Sequence, residues 1–178
     1  MKMRNIFIVI VGISIVFGQS GYEITKTLDE KSKPKNMISK TTMVLTNSKG
    51  KTRNNVMISK TMDNSRRQLI WFLEPKDDKG VSFLKIEHDD RDDEMRIWLP
   101  AFKRVRRISA SKKGDSFMGS DLSYEDMTSR SLDENEYKRL DDETVNGLEC
   151  FVIEVTPNAS LKSSYSKHNI WIVKDDLY

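Results

Sequence analysis

Cysteine is almost missing from this sequence: Cys150 is the single one among 178 residues. One thiol excludes an internal disulfide, so the fold must rest on its core. Nor does a cysteine follow the amino-terminal segment to accept a lipid anchor. Histidine occurs twice, as His88 and His168, and neither lies in a zinc-ligand spacing such as HExxH. No phosphate-binding loop, dinucleotide fingerprint or GxSxG elbow is present. Long apolar runs are lacking as well. Residues 6–17 are apolar over about 12 positions, short of the roughly 20 that cross a bilayer as a helix.

That run, preceded by Lys2 and Arg4, reads as a signal peptide over residues 1–20, with cleavage near Gly18 or Ser20. The alternative is an uncleaved anchor. The expectation is an exported, periplasmic protein whose domain fills residues 21–178. An excess charge of one sign is missing too. The chain has 30 basic and 27 acidic side chains, two of the cations lie in the leader, and no acid precedes Glu23. A nearly neutral mature chain argues against nucleic acid as a partner. Roughly 155 residues suffice for one core.

What is present is β-structure. After a short amphipathic helix over residues 22–33, with Ile24 and Leu28 on one side and Pro34 as its stop, apolar and polar residues alternate. Strands are predicted over 37–47, 52–62, 67–74, 81–88, 95–99, 104–109, 137–145, 148–156 and 167–174, with a loop over 111–121 and a short helix within 122–132. Asn146-Gly147 is a hairpin signal. The connections are short, so the sheet should be antiparallel and meandering. The segment after Trp171 reads as a strand, a turn and the start of another strand. The expectation is that the domain lacks its last strands, since a strand begun there leaves an open edge.

Several strands carry large apolar groups on both faces, most plainly at residues 69–73. A sheet of this kind needs cover on both sides or it encloses a cavity, and seven methionines after the leader suit either a plain core or an adaptable lining. On alternation, the candidate lining is Met43, Leu45, Val56, Ile58, Leu69, Trp71, Leu73, Ile97 and Leu99. A slip of one residue in any strand exchanges lining for exterior. Gly114 and Gly119 bracket a loop whose tip carries Phe117 and Met118, either a simple core anchor or a movable plug. Lys103, Arg104, Arg106 and Arg107 form a basic run. Either Arg104 and Arg106 contact an anionic headgroup or a partner, or the run pairs with Asp115, Asp121, Glu125 and Asp126, the ordinary fate of such charges.

Catalysis has no positive sign. Cys150 sits between Glu149 and Phe151 in an alternating strand, as a small buried thiol would, and no base is paired with it. The acid-rich stretch 88–94 lacks the spacing and central glycine of a calcium loop and reads as a solvated turn. No cofactor or metal is expected.

Three pieces in order, Trp98-Leu99-Pro100, then the basic run 103–108, then GDSFMGSD…SYED over 114–126, resemble the outer membrane lipoprotein-sorting protein family, the LolA-like domains. The order of the hairpins fits as well. The resemblance implies a mainly β, strongly curved antiparallel sheet, a half-barrel whose concave side is closed by helices and loops. It implies an apolar cavity that takes lipid or the acyl chains of a lipoprotein. The family domain continues through further strands. The function implied is that of a monomeric, non-catalytic carrier shuttling lipid or lipoprotein toward the outer membrane, between an inner-membrane transporter and an outer-membrane acceptor. The rival is an accessory or sensor subunit of an inner-membrane lipid or RND-type exporter that carries nothing away.

Overall fold

Residues 19–129, 131–161 and 163–177 are described by the computed structural model of the chain. The expected leader lies outside them except for Gln19 and Ser20. Helix α1 (Gly21–Asp29) starts at a complete capping box: the Ser20 hydroxyl accepts from the Glu23 amide at 3.2 Å, and the Glu23 carboxylate accepts from the Ser20 amide at 2.8 Å. The helix ends earlier than the predicted 33. Its apolar spacing stops at Leu28, and the residue before Pro34 is driven out of helical geometry. Its buried side chain is Ile24, which packs against Phe151, Ile153, Val155, Ile172 and Leu177. Gly21 is needed there, because a Cβ would stand 3.0 Å from the Arg139 amide nitrogen.

Ten strands follow among the described residues: β1 (Asn36–Thr46), β2 (Thr52–Met62), β3 (Arg67–Glu74), β4 (Ser82–Ile86), β5 (Glu94–Leu99), β6 (Arg104–Ile108), β7 (Asn135–Arg139), β8 (Glu143–Val145), β9 (Leu148–Pro157) and β10 (His168–Val173). The first six form an antiparallel meander in chain order; β10, β9 and β7 form a second sheet, with β8 also on β9. The architecture is the expected open, curved antiparallel half-barrel with one helix. Asn146 and Gly147 both have positive φ, 53° and 82°, as a two-residue hairpin turn requires.

Two predicted elements differ. The single strand expected over 137–145 is broken into β7 and β8. Asp142 is drawn to Arg139 at 2.9 Å and Lys174 at 2.8 Å, which bends the chain between them. The helix expected within 122–132 reduces to two single 3₁₀ turns, Glu125–Met127 and Leu132–Glu134. Asp126 accepts from the Ser123 amide at 2.8 Å and Glu134 from the Ser131 amide at 3.0 Å, so each turn is closed by its own cap and none propagates.

The two faces of β1–β6 differ in burial. The inner face carries Met57, Ile70, Phe72, Phe83, Met95, Ile97 and Ile108, all buried in one cluster. Cross-strand partners set this phase: Met57 opposes Phe72, Ile70 opposes Phe83, and Phe83 opposes Ile97. Phe83 is 0% exposed at the centre of the cluster. Phe83→Ala should therefore cost about 3–5 kcal/mol, read as a lower urea midpoint with an unchanged slope.

Candidate functional site

The site begins at the end of β6. The chain leaves the sheet at Ile108, passes a 3₁₀ turn at Ala110–Lys112 and folds back over the inner face. Met118 (φ 52°) and Gly119 (φ 76°) make the tip. The tip is closed by bonds from the Phe117 amide to the Leu122 carbonyl (2.7 Å) and from the Ser120 hydroxyl to the Phe117 carbonyl (2.7 Å). This turn drives Phe117 inward until it is 2% exposed. Its ring meets Phe83 edge-on at 5.3 Å, Tyr124 edge-on at 5.7 Å and Phe72 at 6.1 Å between centroids. Such aromatic pairs contribute about 0.5–1.5 kcal/mol each beyond the area they bury.

The loop is pinned from behind. Glu125, itself buried, accepts from the Ser163 hydroxyl at 2.6 Å and the Ser164 amide at 2.8 Å. Asp126 accepts from the Tyr165 hydroxyl at 2.7 Å. The acids of the SYED stretch thus hold the loop to the segment that leads into β10.

Beside Phe117 lies a cavity of about 300 Å³. Ile97, Leu99, Met118 and Tyr124 supply its apolar wall, and Arg106, Arg107, Lys112, Asp115 and Ser116 its polar rim, with cations in excess. That volume is at the lower end of ligand pockets. Displacing Phe117 would add the ring's own space to it. Lys112 is balanced by Asp115 at 3.3 Å. Arg104, Arg106 and Arg107 form no ion pair among the described residues, although pairing with Asp115, Asp121, Glu125 and Asp126 was the ordinary expectation. Glu125 and Asp126 instead face the 163–165 segment, so the arginines remain available. Burial pushes the Tyr124 phenol above its usual range, and nearby Arg106 offsets part of that. Larger depressions of about 960 and 800 Å³ lie elsewhere and are rich in charged and hydroxyl groups, which suits them poorly to acyl chains.

The predicted lining residues divide between the two faces. Met43, Leu45, Ile97, Leu99, Phe117 and Met118 are on the inner side, and Met43, Leu99 and Met118 pack against the buried cluster. Val56, Ile58, Leu69, Trp71 and Leu73 are on the outer face. Alternation in β2 and β3 was thus read one residue out of phase. In β2 the even positions are the more apolar, yet Asn55, Met57, Ser59 and Thr61 are the buried ones. Tight curvature favours small groups on the inside, and the Gln68 amide satisfies Ser59 at 3.0 Å. Ile58, Trp71 and Leu73 line an open hollow on the other side, where the Lys60 ammonium lies 5.6 Å from the Trp71 ring centre. Sequence reasoning missed Phe72, Phe83 and Tyr124 around the plug. β4 gives no clear signal either, since Phe83 and Lys85 alternate with Leu84 and Ile86 and its sequence leaves the buried face open.

One buried ion pair sits on the inner face. The Lys85 ammonium, 5% exposed, lies 2.7 Å from Glu87, 11% exposed, which also accepts from the Ser129 amide at 2.8 Å. Burial pushes the Glu87 carboxyl up, but the bonds from Lys85 and Ser129 outweigh it and hold the group below the usual carboxylate range. The unfolded chain therefore takes up this proton first as pH falls. The stabilisation begins to fall as pH approaches the unfolded carboxyl's ordinary value of about 4.3 and disappears as pH drops through the lower folded value. Glu87→Gln should cost about 3 kcal/mol at neutral pH by leaving Lys85 buried without its counter-ion. Urea titrations across pH should show the wild-type advantage constant above about pH 5.5 and shrinking as pH falls below about 4.3.

Comparison with known proteins adds the following. A family model described as that of an uncharacterized protein matches residues 64–178. No curated protein matches the chain. Among solved structures, the chain is similar to an outer membrane lipoprotein-sorting protein domain from Vibrio parahaemolyticus, at 32% identity and a TM-score of 0.75 over 86% of this chain and 66% of that one. It is similar to a DUF1329 family protein from Desulfovibrio piger, at 32% identity and a TM-score of 0.78 over 88% of this chain and 68% of that one. A LolA superfamily protein from Nitrosomonas europaea shares the fold at 15% identity and a TM-score of 0.56 over 90% of this chain and 69% of that one. The chain spans about two thirds of the length of these structures.

Proposed function

Since the chain belongs to the LolA-like family of outer membrane lipoprotein-sorting proteins, we propose that it is a periplasmic carrier that shelters acyl chains on the inner face of its half-barrel and moves them toward the outer membrane. The observation that carries this reading is Phe117, a buried ring on a two-glycine loop, packed on Tyr124 at the wall of a cavity whose rim holds Arg106, Arg107, Lys112 and Asp115, the two arginines forming no ion pair among the described residues. Chemistry is not required, because the cargo is held without a covalent bond. Expelling Phe117 costs about 1.5–3 kcal/mol for its buried area and about 0.5–1.5 kcal/mol for each of its three ring contacts, while each methylene buried in its place contributes about 0.8 kcal/mol. An acyl chain longer than about ten methylenes therefore outcompetes the plug. Arg106, with Arg104 on the same side of β6, would then meet an anionic headgroup. An inner-membrane transporter and an outer-membrane acceptor are the partners this role requires.

The leader fits the same reading. Cleavage after Gly18 keeps Ser20 as the helix cap and Gln19, whose carbonyl accepts from Arg139 at 3.1 Å. Cleavage after Ser20 would discard the cap, at a cost of about 1 kcal/mol. Mass analysis of the exported protein should find Gln19 as its first residue.

A second reading is favoured by one fact, that Phe117 already fills its site. A sensor or accessory subunit of an exporter would keep that interior closed. Lipid extraction of the purified protein followed by mass spectrometry separates the two. Stoichiometric acyl lipid supports the carrier; clean protein that takes up no fluorescent fatty acid supports the closed subunit. Phe117→Asp should raise lipid retention at least about tenfold, since a charged tip no longer re-enters the aromatic cluster to compete with the acyl chain. Unchanged retention would remove the plug from the mechanism.

A further inference from the structure

We infer that the β5–β6 hairpin is a docking finger for an anionic phospholipid bilayer. No acid lies between Glu94 and Asp115, while Arg96, Lys103, Arg104, Arg106, Arg107, Lys112 and Lys113 all fall within that span. The hairpin tip is a 3₁₀ turn, Pro100–Phe102, followed by Lys103 with φ 48°. This turn points Phe102 outward, where it is 68% exposed. Trp98 and Val105, direct cross-strand partners on the outer face, are 37% and 56% exposed. Three large apolar groups thus stand in solvent on one hairpin, flanked by the unpaired cations Lys103, Arg104 and Arg107. The Arg104 guanidinium lies 5.8 Å from the Phe102 ring centre.

The meander gives the finger a basic platform. Its first, third and fifth connections fall at the same end of the sheet. Arg53 at the start of β2 reaches Asp78 in the third connection, and a Cβ on Gly80 would touch Pro100 at 3.4 Å. Lys49, Lys51, Lys76 and Lys79 therefore share this end of the sheet with Lys103, against Glu74, Asp77 and the paired Asp78. The opposite end holds the acidic turn Asp89, Asp90, Asp92 and Asp93.

Charge alone would also let a second copy approach by its acidic end. The exposed apolar groups at that end, Met37, Ile38 and Met62, lie on the β1–β2 edge and not on the acidic turn, so charge and apolar surface do not coincide there. A bilayer interface supplies both needs at once: anionic headgroups for the cations and an acyl boundary for Phe102 and Trp98. The inference does not rest on the carrier reading, because a sensor would use the same surface. It does place Leu99 and Arg106 of the cavity next to the docked end.

The test is co-sedimentation of the full chain with vesicles of phosphatidylcholine alone and with roughly 30% phosphatidylglycerol. Wild type should bind the mixed vesicles, lose binding as salt is added, and leave the neutral vesicles unbound. Phe102→Asp and Lys103→Glu should each weaken binding about tenfold or more. Both side chains are exposed, so near-ultraviolet circular dichroism and fluorescent fatty-acid uptake should be unchanged. Equal binding of wild type and Phe102→Asp, or equal binding to both vesicle types, overturns the inference. So does a wild-type dimer in solution that Phe102→Asp makes monomeric. Loss of fatty-acid uptake in the wild type with vesicle binding intact would count against the carrier alone.

Discussion

Phe117 against Phe72, Phe83 and Tyr124 is the contact on which the six-stranded sheet depends. A curved sheet with a large apolar inner face cannot leave that face in water, and α1 is engaged elsewhere, with its Ile24 in the cluster of β9 and β10. Cover therefore has to come from the loop after β6. The loop covers the face with two buried rings, Phe117 and Tyr124, and with Met118 and Met127 packed against the cluster. The Phe117 ring and its three aromatic contacts hold the loop against the sheet.

The placement of charge reinforces this arrangement. Where a charge is buried it is matched, as with Lys85 and Glu87, or it serves as an anchor, as Glu125 does for residues 163–164. Because the acids of the SYED stretch are committed to those anchoring tasks, they cannot neutralise β6. The arginines of β6 stay unmatched for a local structural reason, and their availability at the cavity rim and near the hairpin tip follows from it. Conversely, the acidic turn after β4 partly neutralises itself, with Arg66 on Asp89 at 2.6 Å and Lys113 on Asp93 at 3.8 Å. The two ends of the half-barrel consequently differ in charge, the β5–β6 end basic and the turn after β4 acidic.

Much of this was readable in the chain. Short turns with Gly50 and Asn146-Gly147 announced antiparallel hairpins, and the strand bounds fell within a residue or two for most of β1–β6. The unusual loop was locatable because its glycines, its Phe-Met tip and its acids occur together nowhere else in the chain. The phase of β2 and β3 was not readable. Leu69–Ile70–Trp71–Phe72–Leu73 is apolar at every position, so alternation carries no information there, and in β2 the more apolar side is the outer one. The split between β7 and β8 was hidden for a related reason. It depends on Asp142 meeting Lys174, a residue 32 positions away.

What the sequence determined by itself is what local rules govern: hairpin order, turn positions, the helix cap at Ser20, the family likeness, and the absence of an internal disulfide. These depend on backbone preferences and on residues close together in the chain. What only the tertiary structure decided is which apolar face is covered, which rings cover it, and which charges remain unpaired. Those outcomes depend on registers propagated across six strands and on acids claimed by a distant segment. The physical reason is that burial and charge pairing are set by neighbours in space, and a chain that is apolar on both faces of a strand leaves that choice to its partners.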